Sequence, residues 1–253
     1  MGLFSSKKGA RIAGDTARRK SGPIVSAVVP AAGSGTRMGG VDKLRAPVLG
    51  KPLLIHTLLA FQRHEAITEI IIAAREEDLL GLAELCRSEG ITKLSKIVKG
   101  GASRAESVLL ALTECHPKAK LAVIHDGARP CVSDGIITSA VQTALQTGAA
   151  APGVPPVDTL KALSEDGQII ASTIDRGRVV QIQTPQCFYT ALIKAALTEA
   201  LQSGHPPTDD CAAVEALGVP VWVTKGEPEN FKVTTPGDLE RAEMVLRNKG
   251  VHL

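Results

Sequence analysis

With 253 residues, 44% of them hydrophobic and 22% charged, the chain can bury the core of one large domain or two small ones. It nowhere runs through the ~20 consecutive apolar residues that a helical bilayer crossing needs, so no membrane span is expected. The formal net charge of +3 is uneven: residues 1–22 hold Lys7, Lys8, Arg11, Arg18, Arg19 and Lys20 against Asp15 alone, leaving a mildly acidic body without the concentrated basic face that nucleic acid requires.

Residues 1–22 read as a disordered basic extension outside a single domain over 23–253. Two other readings fit the same segment: a transit peptide, since it is acid-poor and contains Arg and Ser, or a myristoylation signal at Met1-Gly2 with Ser6. Strands and helices then alternate. Ile24–Val29 reads as a buried strand, Pro52–His64 as a helix, Glu69–Ala74 as a strand, Glu76–Glu89 as a helix and Ser95–Val98 as a short strand. Ser103–Cys115 reads as a helix, with Ser103 and Glu106 at capping-box spacing. Leu121–Ile124 (strand), Asp134–Gln146 (helix) and Gly148–Gly153 (strand) continue the series. Such alternation implies a parallel sheet with helices on both faces, and ligands then gather at the carboxyl ends of the strands.

The pattern breaks over 155–184, where no long helical period is present and Asp166-Gly167 separates two β-prone runs. This predicts a hairpin-like arm projecting from the main sheet. Beyond it, helices are expected at Ala191–Gln202, Asp209–Leu217 and Pro236–Arg247, with a strand at Val219–Thr224. Cys86, Cys115, Cys131, Cys187 and Cys211 form no Cys-x-x-Cys pair, which implies reduced thiols in a cytosolic type of compartment.

The first strand runs into "PAAGSGTRMG". No Lys-Ser/Thr follows the glycines as a P-loop demands, and Met38 stands where a dinucleotide fingerprint has its third glycine. Gly33 and Gly35 let the backbone approach phosphate oxygens. Arg37 and Lys43 add more positive charge than a dinucleotide needs, which suits a triphosphate whose charge builds up during reaction.

That segment, with "GKPLLIHTL", "GGASRAESV", "HDGARP", "TPQ" and "FKVTTPGDL" in this order, resembles the 2-C-methyl-D-erythritol 4-phosphate cytidylyltransferases of non-mevalonate isoprenoid synthesis, from about Ile24 to Leu246. The resemblance implies an α/β nucleotidyltransferase fold: a Rossmann-like, mostly parallel sheet flanked by helices, with a projecting β-arm. It implies transfer of CMP from CTP to 2-C-methyl-D-erythritol 4-phosphate with release of pyrophosphate, assisted by Mg²⁺ or another divalent cation. It also implies a cytoplasmic homodimer formed by arm exchange, or a plastid enzyme if the extension is a transit peptide.

By the same resemblance Ala31, Ala32, Gly33, Gly35, Gly101, Arg104 and Ser107 bind CTP, and Arg37 and Lys43 stabilise the transition state. Asp126, at the end of a strand, is the candidate for metal binding or for the acceptor sugar. Thr159, Arg176, Thr208 and Lys232 surround the acceptor, with Arg176 and Lys232 also catalytic. This chain has Asp42 where many members have Pro, and Ala102 where many have Asp. The alternatives are a cytidylyltransferase for another polyol phosphate such as ribitol 5-phosphate, a nicotinamide-dependent oxidoreductase, or a nucleotide-binding module without catalysis.

Overall fold

A computed structural model of the chain describes residues 22–33, 42–204 and 206–250. Strand β1 (Ile24–Pro30) opens the main sheet, followed by the short antiparallel pair β2 (Pro47–Val48) and β3 (Lys51–Pro52) and by helix α1 (Leu53–Arg63). Then come β4 (Glu69–Ala74), α2 (Leu79–Ser88), β5 (Leu94–Lys99), α3 (Arg104–Thr113), β6 (Ala119–Ile124), α4 (Asp134–Thr147) and β7 (Ala149–Val154). The arm carries β8 (Lys161–Leu163) and β9 (Ile170–Thr173). The chain returns through β10 (Gln181–Ile182) and β11 (Gln186–Tyr189) and finishes with α5 (Thr190–Gln202), α6 (Asp210–Ala216), β12 (Trp222–Lys225) and α7 (Pro236–Asn248).

The main sheet runs β10-β7-β11-β6-β1-β4-β5, with β12 also paired to β7. Pairings β1–β4, β1–β6, β4–β5 and β7–β12 are parallel, while β10 and β11 run antiparallel to their neighbours. The central strands are nearly unbroken apolar runs because both faces are covered. Val25, Ala27 and Val29 of β1 pack into one core with α1, α4 and α7, whereas Val28 faces a second core with α3, α5 and α6. No helix among the described residues is long and apolar enough to cross a membrane.

Several expected boundaries move. Glu76–Asp78 forms a separate 3₁₀ turn before α2, closed by Asp78 N–H to Arg75 O at 3.0 Å. The last strand is displaced to Trp222–Lys225. At α3 only half of the expected capping box forms: Ser103 accepts from Glu106 N–H at 3.1 Å, but the Glu106 carboxylate accepts from Ala102 N–H at 2.7 Å. In the arm, Asp166 and Gly167 lie within a four-residue loop closed by Ser164 N–H to Ile169 O, and Gly167 has φ 72°. Strand β11, absent from the sequence reading, inserts between β6 and β7 straight after the cis peptide Thr184–Pro185.

Candidate active site

The carboxyl ends of β1, β5 and β6 open on one side of the sheet, and a cleft of about 440 Å³ lies there. It is lined by Ala31, Ala32 and Gly33 after β1, by Gly101 to Arg104 and Ser107 at the start of α3, and by Asp126 to Ala128 after β6. Lys43, Leu44, Lys232 and Thr234 complete the wall with Pro30. Such a crevice beyond the strand ends is where open α/β sheets hold ligands.

One close backbone approach and one hydrogen-bonded turn shape the wall of the cleft beside α3. A Cβ on Gly100 would fall 2.5 Å from Ala32 Cβ, so the β1 and β5 loops meet only because that position is glycine. Gly101 N–H donates to Ser107 Oγ at 3.0 Å, and the Ser107 hydroxyl donates to Ser103 O at 2.8 Å. The turn is thereby fixed before any ligand arrives.

Among the described residues that line the cleft, Asp126 is the one carboxylate. Lys232 Nζ lies 2.8 Å from its Oδ2, Arg104 Nε 3.4 Å from Oδ1 and Arg129 Nε 3.6 Å from Oδ2. Burial pushes this carboxyl up, but Lys232, Arg104 and Arg129 outweigh it and hold the group well below the usual carboxylate range. Arg104 also grips Asp210 with two nitrogens, at 3.0 and 2.8 Å. Burial alone would lower the Arg104 pKa; the Asp210 and Asp126 carboxylates raise it instead. Lys43 Nζ donates to Val233 O at 3.2 Å, beside Lys232. Arg104, Arg129 and Lys232 thus converge on the Asp126 and Asp210 carboxylates, and this concentration of cations suits an anionic ligand.

The Lys232 loop is fastened from below. Val233 N–H donates to Ala128 O at 2.8 Å, Arg129 Nη1 to Asn230 O at 2.7 Å, and Asn230 Nδ2 to Thr184 O at 2.8 Å. At α7, Thr235 and Asp238 form a reciprocal capping box that ends the loop. His125 is wholly buried against Phe61, with ring centroids 4.9 Å apart. Its Nε2 meets the acceptor-only Arg129 carbonyl at 3.1 Å, so Nε2 carries the proton. Its Nδ1 then accepts from Thr184 Oγ1 at 2.9 Å, which itself accepts from Asp126 N–H at 3.2 Å. Burial pulls His125 down to about 4, leaving it neutral: it orients Asp126 through Thr184 and does not touch the cleft.

Of the expected site residues, the cleft therefore assembles Ala31, Ala32, Gly33, Lys43, Gly101, Arg104, Ser107, Asp126 and Lys232. Gly35 and Arg37 lie outside the described residues. Thr159, Arg176 and Thr208 do not line the cleft of this chain. Thr159 and Arg176 are exposed on the arm, where Arg176 Nη1 donates to Val157 O at 2.7 Å, and Thr208 is exposed just before α6. Asp210, Asn230 and Gln186, the last within the quoted "TPQ", were given no role by the sequence. Among the described residues no group of three or more His, Cys, Asp or Glu forms a ready-made metal cage. A single carboxylate facing a cleft nevertheless fits Mg²⁺, which takes one or two carboxylates and draws its other ligands from phosphate and water.

Residues 25–248 match the family model for IspD, 2-C-methyl-D-erythritol 4-phosphate cytidylyltransferase. A protein of that name from Syntrophus aciditrophicus is 39% identical over 90% of this chain and 97% of its own length. Another from Halalkalibacterium halodurans is 42% identical over 88% of this chain and 97% of its own. Among solved structures, 4-diphosphocytidyl-2C-methyl-D-erythritol synthase from Anaerococcus prevotii superposes with a TM-score of 0.78 at 29% identity, covering 89% of this chain and 99% of that one.

Proposed function

The chain belongs to the 2-C-methyl-D-erythritol 4-phosphate cytidylyltransferase family, and we propose that the cleft at the sheet's carboxyl edge carries out that family's reaction with the residues gathered there. CTP lies along Ala31–Gly33 with its base toward Gly101 and Ser107, and Arg104 stands beside it. The acceptor phosphate attacks the α-phosphorus; one P–O bond forms, the bond to the bridging oxygen breaks, and pyrophosphate leaves. The attacking phosphate is already anionic near neutral pH, so the step needs no general base. It does need cations that hold two repelling anions together and that meet the charge growing on the phosphoryl oxygens and the leaving group. Lys43 and Lys232 fill that role within the cleft, with Arg37, which lies outside the described residues, as a third cation.

A divalent cation, when bound, neutralises part of the triphosphate charge, and Asp126 is the residue that would hold it. Oδ1 is its freer oxygen, at 3.4 Å from Arg104, since Lys232 engages Oδ2. The arm exposes Val157, Leu163, Ile169 and Ile170, each more than half accessible. Such a surface supports a homodimer in which the arm of one subunit brings Thr159 and Arg176 to its partner's acceptor site. Five unpaired thiols and bacterial relatives support a cytoplasmic setting.

The observation that carries this reading is the group of cations around one cleft-lining carboxylate, at the position where the family's motifs converge. The test is pyrophosphate release from Mg²⁺–CTP with 2-C-methyl-D-erythritol 4-phosphate and, separately, with ribitol 5-phosphate. Release with the first acceptor and little with the second is expected. Preference for ribitol 5-phosphate, or NAD(H) binding without CTP binding, would overturn the reading.

A further inference from the structure

The reaction leaves one buried acid without a part. Asp210 begins α6 and is fully shut from solvent, whereas Arg104, its partner from the start of α3, keeps about a third of its side chain accessible and lines the cleft. The two are 106 positions apart in sequence and meet through two parallel hydrogen bonds, Nη1 to Oδ1 at 3.0 Å and Nη2 to Oδ2 at 2.8 Å. Nε, the remaining guanidinium nitrogen, points to Asp126.

Asp210 itself is held from behind by Gln186. The Gln186 Oε1 accepts from the backbone N–H groups of Asp210 and Cys211, both at 3.1 Å, and Nε2 donates to Asp209 Oδ2 at 2.8 Å. Gln186 is buried on β11, so the first turn of α6 is tied to the sheet. An ionised carboxylate in the interior is costly unless paired, and a paired guanidinium fork loses its freedom to swing. The arrangement therefore gives Arg104 one available orientation, with its open face to the cleft.

We propose that Asp210 is a positioning residue for nucleotide binding, holding Arg104 in the cleft wall with Gln186 as its support; the proposal rests on the cytidylyltransferase reading. It links the turn that carries Thr208, assigned to the acceptor, with the helix start that serves CTP.

The test uses the full chain with Mg²⁺–CTP in calorimetric titrations, alongside thermal melts and steady-state rates. Asp210→Asn should raise the CTP Kd about 10-fold or more, the scale on which losing a supporting partner affects the group it orients. The KM for CTP should rise with it, while kcat at saturating CTP changes less. Arg104→Gln should weaken binding similarly, and Arg104→Gln/Asp210→Asn should be no weaker than Arg104→Gln alone, because Asp210 acts only through Arg104. Folded Asp210→Asn protein that binds CTP like wild type would overturn the proposal. If Asp210→Asn does not fold, the neutral pair in the double variant decides: equal Kd values for it and Arg104→Gln support the proposal, and a further loss refutes it. Wild-type protein that binds no CTP would instead refute the functional reading.

Discussion

Position 100 shows how far one side chain's absence shapes the site. Gly100 lets the loop after β5 lie against the loop after β1; a Cβ there would fall 2.5 Å from Ala32 Cβ and 3.0 Å from Ser107 Oγ. Ser107 cannot retreat freely, since it is bonded on both sides. Gly100→Ala should cost about 1–3 kcal/mol, the range for overpacking a close contact. Urea unfolding measures this, and adding Ala32→Gly should recover part of the loss. If Gly100→Ala is as stable as wild type, the two loops are not in contact in solution. The same scale explains why Asp126 can stay ionised while buried: Lys232 from the loop before α7, Arg104 from the start of α3 and Arg129 from its own loop all approach it, so no single cation carries the whole compensation.

Among the elements, the arm stands apart. Strands β8 and β9 pair with each other and not with the main sheet, and their apolar residues face outward. A two-stranded ribbon alone is marginally stable, which is the physical reason to expect a partner surface for it. If the arm serves a neighbouring subunit, mixing Arg176→Ala protein with Lys43→Ala protein should restore activity through subunit exchange. Each mixed dimer would contain one intact site and one lacking both cations. Mixed dimers that stay inactive would place Arg176 in its own subunit's site. The arm was legible because Asp166-Gly167 and the loss of helical period are local signals, and Glu69–Ala74 was legible to the residue because it is a compact apolar run. Strand β11 was not: Gln186–Tyr189 spans four residues, follows a proline and opens with a buried glutamine, so its strand character comes from β6 and β7 on either side.

Across the whole molecule, the motifs spread along the sequence converge because the sheet's parallel strands all end on one side. That convergence was readable from the strand–helix alternation. The Arg104–Asp210 pair was not, since an aspartate at the start of a helix looks like a first-turn acid and its partner is specified only by tertiary packing. The described residues form two cores, one on each sheet face. Cys86, Cys131 and Cys187 lie in one core and Cys115 and Cys211 in the other, all five at most 5% accessible. Burial raises every one of these thiols, with Cys86, Cys115 and Cys131 pushed up to about 11, so none presents a thiolate to a reagent in the native state. The thiols therefore act as clocks: excess disulfide reagent can modify them only as fast as the fold opens. If the two cores melt as one unit, mass spectrometry should show all five cysteines modified with a single rate constant, which saturating CTP slows equally at every position. Two rate constants, with Cys115 and Cys211 separated from the other three, would mean that each face of the sheet opens on its own schedule.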